Sequence, residues 1–98
     1  MSYRLTFRQE AEIDLEKSAR WYEQQKETLG FGFLDEVEKK SSIIKDAPLI
    51  FKEVYKKLRR VVIDRFPFNI FYLIEGRSII IVAVIHGSRH PKKWQKRI

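Results

Sequence analysis

Two histidines, His86 and His90, stand four positions apart near the end of the chain, with Arg89 between them. They are the only side chains here whose ordinary pKa lies near neutrality, which makes them the candidates for proton transfer. With Arg59, Arg65 and Arg89 they would suit a metal-free cleavage of RNA. That reaction needs a base for the 2′-hydroxyl, an acid for the leaving 5′-oxygen and cations for the phosphate. Arginine fills only the last role, because it stays protonated. His86 closes the most apolar run of the chain, and a histidine there is more often a hydrogen-bonded structural residue than a catalyst. His90 falls in a loop before Pro91, with freer access to solvent.

The other candidates are cationic or aromatic. Lys56, Lys57, Arg59, Arg60 and Arg65 form one basic stretch, and a strand would point the adjacent Arg59 and Arg60 to opposite faces. Such a stretch can hold phosphate, or it can be a charged edge that discourages self-pairing. Asp64 is placed to neutralise Arg65 or a neighbouring arginine. The tail sets Trp94 among Lys92, Lys93, Lys96 and Arg97. Its indole either stacks on a base or packs back onto the sheet and pins the tail. The same cations would also accept an acidic protein segment.

These residues need a scaffold, and the chain has room for one. Its 98 residues fit a single domain spanning 1–98. Residues 1–49 carry 8 basic and 10 acidic side chains, whereas residues 50–98 carry 12 basic and 3 acidic ones, so the second half stands at +9. That asymmetry favours polyanions or acidic proteins as partners. With no cysteine there is no disulfide framework or thiolate metal site, and the histidines and aspartates match no zinc spacing. No metal or cofactor is therefore expected. The longest apolar run, 79–85, is too short to span a bilayer, and no signal-peptide core precedes it. The expected setting is the cytoplasm, without membrane association.

The hydrophobic period changes twice. Tyr3, Leu5 and Phe7 alternate, which predicts a strand over 3–8. Ala11, Leu15, Ser18, Ala19 and Tyr22 recur at three and four residues, which predicts a helix over about 10–26. On it, Tyr22 continues the buried stripe, and Trp21 lies about one hundred degrees away at its edge. Gly30 and Gly32 read as a break. Phe33, Val37, Ser41 and Ile44 then predict a second helix over about 32–45, stopped by Pro48. Two helices so joined pack as a hairpin. Strands follow over about 58–65, 69–74 and 78–86, the last deeply buried. The fold class is α+β: an N-terminal strand, a helical hairpin, then a three-stranded antiparallel meander completing one small sheet.

Along this frame the chain resembles the RelE/ParE toxin superfamily. The helical half carries Asp14-Leu15, Trp21-Tyr22-Glu23, Leu29-Gly30 and Phe33-Leu34-Asp35-Glu36. The second half carries Arg59-Arg60, Phe66-Pro67-Phe68-Asn69-Ile70-Phe71-Tyr72, His86-Gly87-Ser88-Arg89-His90-Pro91, Trp94 and Arg97. The resemblance implies the toxin of a type II toxin–antitoxin module, often described as plasmid stabilisation. A cognate antitoxin would wrap and silence it, with Trp21, Tyr22 and Phe71 as contact residues. RelE-like members cleave mRNA in the ribosome, and His86, Arg89, His90, Arg59 and Arg65 would then be the catalytic set. ParE-like members poison DNA gyrase without that chemistry, and Lys56, Lys57, Arg60, Lys92, Lys93, Trp94 and Arg97 would then meet the target. The RelE-like pattern often places a Tyr or Lys near the chain end. Here no Tyr follows Tyr72, which tilts the resemblance to the ParE-like branch. A family member that binds its partner without toxicity is the third alternative, and a homodimer is left open.

Overall fold

The computed structural model describes residues 2–98. Strand β1 (Arg4–Phe7) turns Leu5 and Phe7 toward the core and leaves Arg4 and Thr6 exposed. Helix α1 (Gln9–Gln25) follows, with Glu10 and Glu12 in its first turn, where carboxylates complement the helix dipole. Its buried stripe is Ala11, Leu15, Ala19 and Tyr22. Helix α2 (Leu29–Asp46) packs antiparallel against it and buries Phe33, Val37 and Ile44.

The helix break lies earlier than the glycines suggest. Thr28 takes the left-handed conformation (φ 69°), and Gly30 and Gly32 lie inside the first turn of α2. The Glu23 carboxylate accepts from the N–H groups of Thr28 at 2.8 Å and Gly30 at 2.9 Å. An acceptor at a helix N-terminus supplies partners that the helix itself cannot. Gly30 serves proximity. A Cβ there would stand 2.5 Å from the Ala19 carbonyl oxygen, so the helices meet over bare backbone.

The rest is sheet: β2 (Glu53–Tyr55), β3 (Leu58–Val62), β4 (Phe68–Glu75) and β5 (Ser78–His86), with a short α3 (Lys92–Gln95) after it. The order is β1-β5-β4-β3-β2. The expected meander is present, and β1 joins the same sheet by pairing parallel with β5. The edge strand β2 was not foreseen. It is three residues long and its Val54 is exposed, so no buried face marks it in the sequence.

Strand β5 shows no apolar alternation for two reasons. Both of its faces are covered, and its register with β4 slips, so that Phe71 opposes Ala83 while Tyr72 opposes Ile81. Val82 is the extra residue of a bulge. On the helix side Ile79, Ile81 and Val84 meet Phe33, Ile44 and Tyr72, and on the other side Val82, Ala83 and Ile85 lie under Trp94. The Trp94 indole stacks on Phe71 with centroids 4.2 Å apart and planes 17° from parallel. The tail thus closes the second face, with one large ring as its anchor.

That arrangement predicts unequal tryptophans. Trp94→Ala should cost about 3–5 kcal/mol of unfolding free energy, the usual range for removing a buried large aromatic. Trp21, 56% exposed, should cost under about 1 kcal/mol when replaced by Ala. Urea titrations of both variants give the comparison, and equal losses would contradict the docked tail.

Candidate functional site

Strand β1 ends before β5 does. The last bond on that side is from the Arg8 N–H to the Ile81 carbonyl at 2.9 Å. Beyond it the β5 edge needs other partners, and side chains supply them. Asp14 Oδ2, from α1, accepts from the Val84 N–H at 2.9 Å. Arg97 Nη1 donates to Asp14 Oδ2 at 2.7 Å and to the Val82 carbonyl at 3.1 Å, while Nη2 donates to Asp14 Oδ1 at 3.1 Å. Arg8 Nη1 donates to the Arg97 carbonyl at 2.7 Å. The hydrogen bond to Asp14 raises the Arg97 pKa; burial opposes it, and the charges of Asp14 and Glu10 reinforce it. Arg97, expected at the target surface, is thus engaged inside the fold.

Around this pair lies a hollow of about 350 Å³ lined by Lys17, Ser18, His86, Arg89, Lys93 and Lys96. A second hollow of about 500 Å³ shares Lys17, Ser18, Phe68, His86 and Arg89 and adds Trp21, Tyr22 and Ser88. The turn after β5 is held by the Gly87 N–H, which donates to the Pro67 carbonyl at 2.7 Å, and by the Arg89 N–H, which donates to the His86 carbonyl at 3.0 Å. Of the expected residues, the structure brings His86, Arg89, Lys93, Arg97, Trp21 and Tyr22 to these hollows.

Both imidazoles are tied to their own turns. His86 Nδ1 accepts from the Ser88 N–H at 3.0 Å, with the Ser88 hydroxyl 2.8 Å from the same atom. His90 Nδ1 accepts from the Lys92 N–H at 3.1 Å. An accepting Nδ1 leaves the proton of a neutral ring on Nε2, assigned here from the bond network. Each histidine therefore carries its N–H donor at Nε2. His86 also packs edge-on against Phe68, with centroids 5.3 Å apart.

The remaining candidates lie elsewhere. Arg59 Nη1 donates to the Phe51 carbonyl at 2.5 Å and holds the segment after α2, with Glu53 3.5 Å from its Nη2. Arg65 pairs with Glu36 at 3.4 Å and Asp64 with Lys40 at 3.6 Å, so Asp64 does not neutralise Arg65. Arg60, Lys56 and Lys57 are exposed around the β2–β3 edge, as is Lys92 on the tail. Tyr22 is half-buried among Phe33, Phe66 and Phe68, and Phe71 lies under Trp94. Among the described residues no cluster of three or more His, Asp or Glu side chains could hold a metal ion. Among the described residues no helix is long and apolar enough to cross a membrane.

Sequence reasoning passed over Lys17 and Ser18, and read Lys96 only as one cation of the basic tail. Lys17 reads as an ordinary solvated helix charge, and Ser18 falls on the predicted apolar stripe while lining the hollow. A second surface was also missed. Leu15, Ala19, Phe31 and Leu34 line an apolar groove along the helix pair, rimmed by Glu12, Glu16, Arg20 and Glu23. Phe31 is 72% exposed there.

A family model described as the ParE toxin of the type II toxin–antitoxin system parDE matches residues 5–91. Among solved structures, the chain is similar to the chromosomal ParDE TA system from P. aeruginosa, with a TM-score of 0.70 and 16% identity over 86% of this chain and 95% of that one. At that identity the likeness shows the fold alone. No curated protein matches the chain.

The core beside Arg59 gives a pH test. Tyr72 is fully buried and its hydroxyl donates to the Pro48 carbonyl at 2.7 Å. Burial pushes its pKa from 10.0 up to about 12, with Arg59 pulling the other way. Above pH 10 the unfolded chain holds fewer protons than the folded one, so stability falls as pH rises. The Tyr72 contribution should be whole below pH 10 and lost between about 10 and 12, roughly 2–3 kcal/mol by linkage. Urea titrations across that window should show the loss in the parent and a shallower one in Tyr72→Phe. Identical slopes would contradict the assignment.

Proposed function

This chain belongs to the ParE toxin family of type II toxin–antitoxin systems, and from that premise we propose a toxin silenced by a cognate antitoxin and directed at DNA gyrase. Its site of action is the cytoplasm, and its module stabilises the replicon that carries it. The observation that carries the choice of target is the state of the two imidazoles. RNA cleavage without a metal needs one group ready to accept a proton and another ready to give one. Here each Nδ1 is occupied by an N–H of its own turn, and both rings offer only Nε2–H. Arg59 and Arg65 are held by carbonyl and carboxylate oxygens away from the turn after β5. Such a site supports binding better than acid–base chemistry.

The antitoxin reading draws on the helix pair. A groove floored by the half-buried Leu15 and Ala19, with Phe31 and Leu34 exposed along it, suits the apolar face of an amphipathic segment. Such a segment would order on binding, as disordered partners do, and its acidic extension would meet the basic second half of the chain.

Two measurements test this. The purified protein should inhibit gyrase supercoiling, and brief expression should produce no new codon-periodic mRNA 5′ ends on ribosomes. Such ends, lost in His86→Ala or Arg89→Ala, would overturn the gyrase reading in favour of a ribosome-dependent endoribonuclease. Neither effect, with a partner still bound, would leave a binding module without toxicity. Phe31→Glu should abolish copurification with the product of the adjacent reading frame, and retained copurification would exclude the groove.

A further inference from the structure

The two hollows beside the Asp14–Arg97 pair form one trough, because five residues line both. Its charge is one-sided. Asp14 is the only carboxylate on its walls, and both of its oxygens are taken, by Arg97 and by the Val84 N–H. Lys17, Arg89, Lys93 and Lys96 remain, and among the described residues none of them lies within ion-pair distance of a carboxylate. Ser18 adds a hydroxyl, and His86 adds an Nε2–H donor. Four cations with hydroxyl and imidazole donors, and no free acceptor charge, make a phosphate site.

The other half of the trough differs in kind. Trp21 forms its wall, 56% exposed and held edge-on against Tyr22 with centroids 5.1 Å apart. A mostly exposed indole, fixed by a half-buried neighbour, is a platform for an unpaired base. In a duplex the bases are already stacked and unavailable to it. Of the two sequence readings of Trp94, stacking on a base or packing back onto the sheet, the structure shows the packing, against Phe71.

We propose that this trough binds single-stranded nucleic acid, with successive backbone phosphates among Lys17, Arg89, Lys93 and Lys96 and an unpaired base on the face of Trp21. The inference goes beyond the gyrase reading and stands independently of it, since it concerns what the free protein binds.

Fluorescence anisotropy with a labelled oligothymidylate of about eight nucleotides, within the usual site size, tests it. An oligouridylate run in parallel assigns the strand as DNA or RNA, and a preference for either supports the site. Trp21→Ala should weaken binding at least about fivefold, the lower end for one stacked base. Lys17→Ala combined with Arg89→Ala should reduce the salt slope by about 1.4, for two phosphate contacts on a single strand. Lys45→Ala with Lys52→Ala, exposed cations outside the trough, should change affinity less than twofold. All these side chains are exposed, and a urea titration confirms that each variant folds. The proposal is overturned if neither oligonucleotide binds, if Trp21→Ala binds like the parent, if a duplex of equal length binds as tightly, or if the Lys45 and Lys52 pair matters as much as Lys17 and Arg89.

Discussion

The ion pair between Asp14 and Arg97 holds the fold at the point where regular pairing runs out. Parallel pairing with β1 stops at Ile81, yet β5 continues to His86. Val82 and Val84 are buried, and the Val82 carbonyl and the Val84 N–H would otherwise lack protein partners, at a cost of about 1–3 kcal/mol each when left unsatisfied. Asp14 and Arg97 satisfy both and each other, bringing together α1, β5 and the last turn of the chain. The two side chains are only 14% and 17% exposed, so screening by solvent is limited. A pair of this kind need not surpass an apolar replacement, but removing one member strands the other.

Two consequences reach the functional surface. The Arg97 anchor returns the tail over the sheet, which sets Trp94 on Phe71 and closes the face that the helices leave open. It also neutralises the one carboxylate in the trough. The basic field of Lys17, Arg89, Lys93 and Lys96 is therefore a product of the same pair that caps the strand. The helix pair contributes a separate, apolar surface around Phe31, so the molecule presents two faces of different chemistry. This division suits the toxin proposed above, with one surface for an antitoxin and another for a target.

Much of the fold was legible because burial leaves a period. The alternation of Tyr3, Leu5 and Phe7, the stripe from Ala11 to Tyr22, and the run over 78–86 each indicated their element. Local chemistry without a period was harder to read. The α2 start depends on a left-handed Thr28 and a capping Glu23, and neither residue type is specific for that role. Gly30 signals a turn in sequence but serves helix contact in space. The site was least legible, because its parts are remote. Asp14 and Arg97 stand 83 positions apart, and the side of a helix that faces a hollow looks like any solvated face. The histidines were visible as residues, but only the backbone of their turns reveals which nitrogen is occupied.

The most direct test of this account is a double-mutant cycle between Asp14 and Arg97, each replaced by Ala singly and together, with unfolding free energies from urea titration. A shared clamp predicts a coupling of at least about 1.5 kcal/mol, in the range of charge-assisted hydrogen bonds, with the double variant far less destabilised than the sum of the singles. Additive losses, with coupling under about 0.3 kcal/mol, would show two independent residues and contradict the claim that this pair organises the β5 edge and the tail.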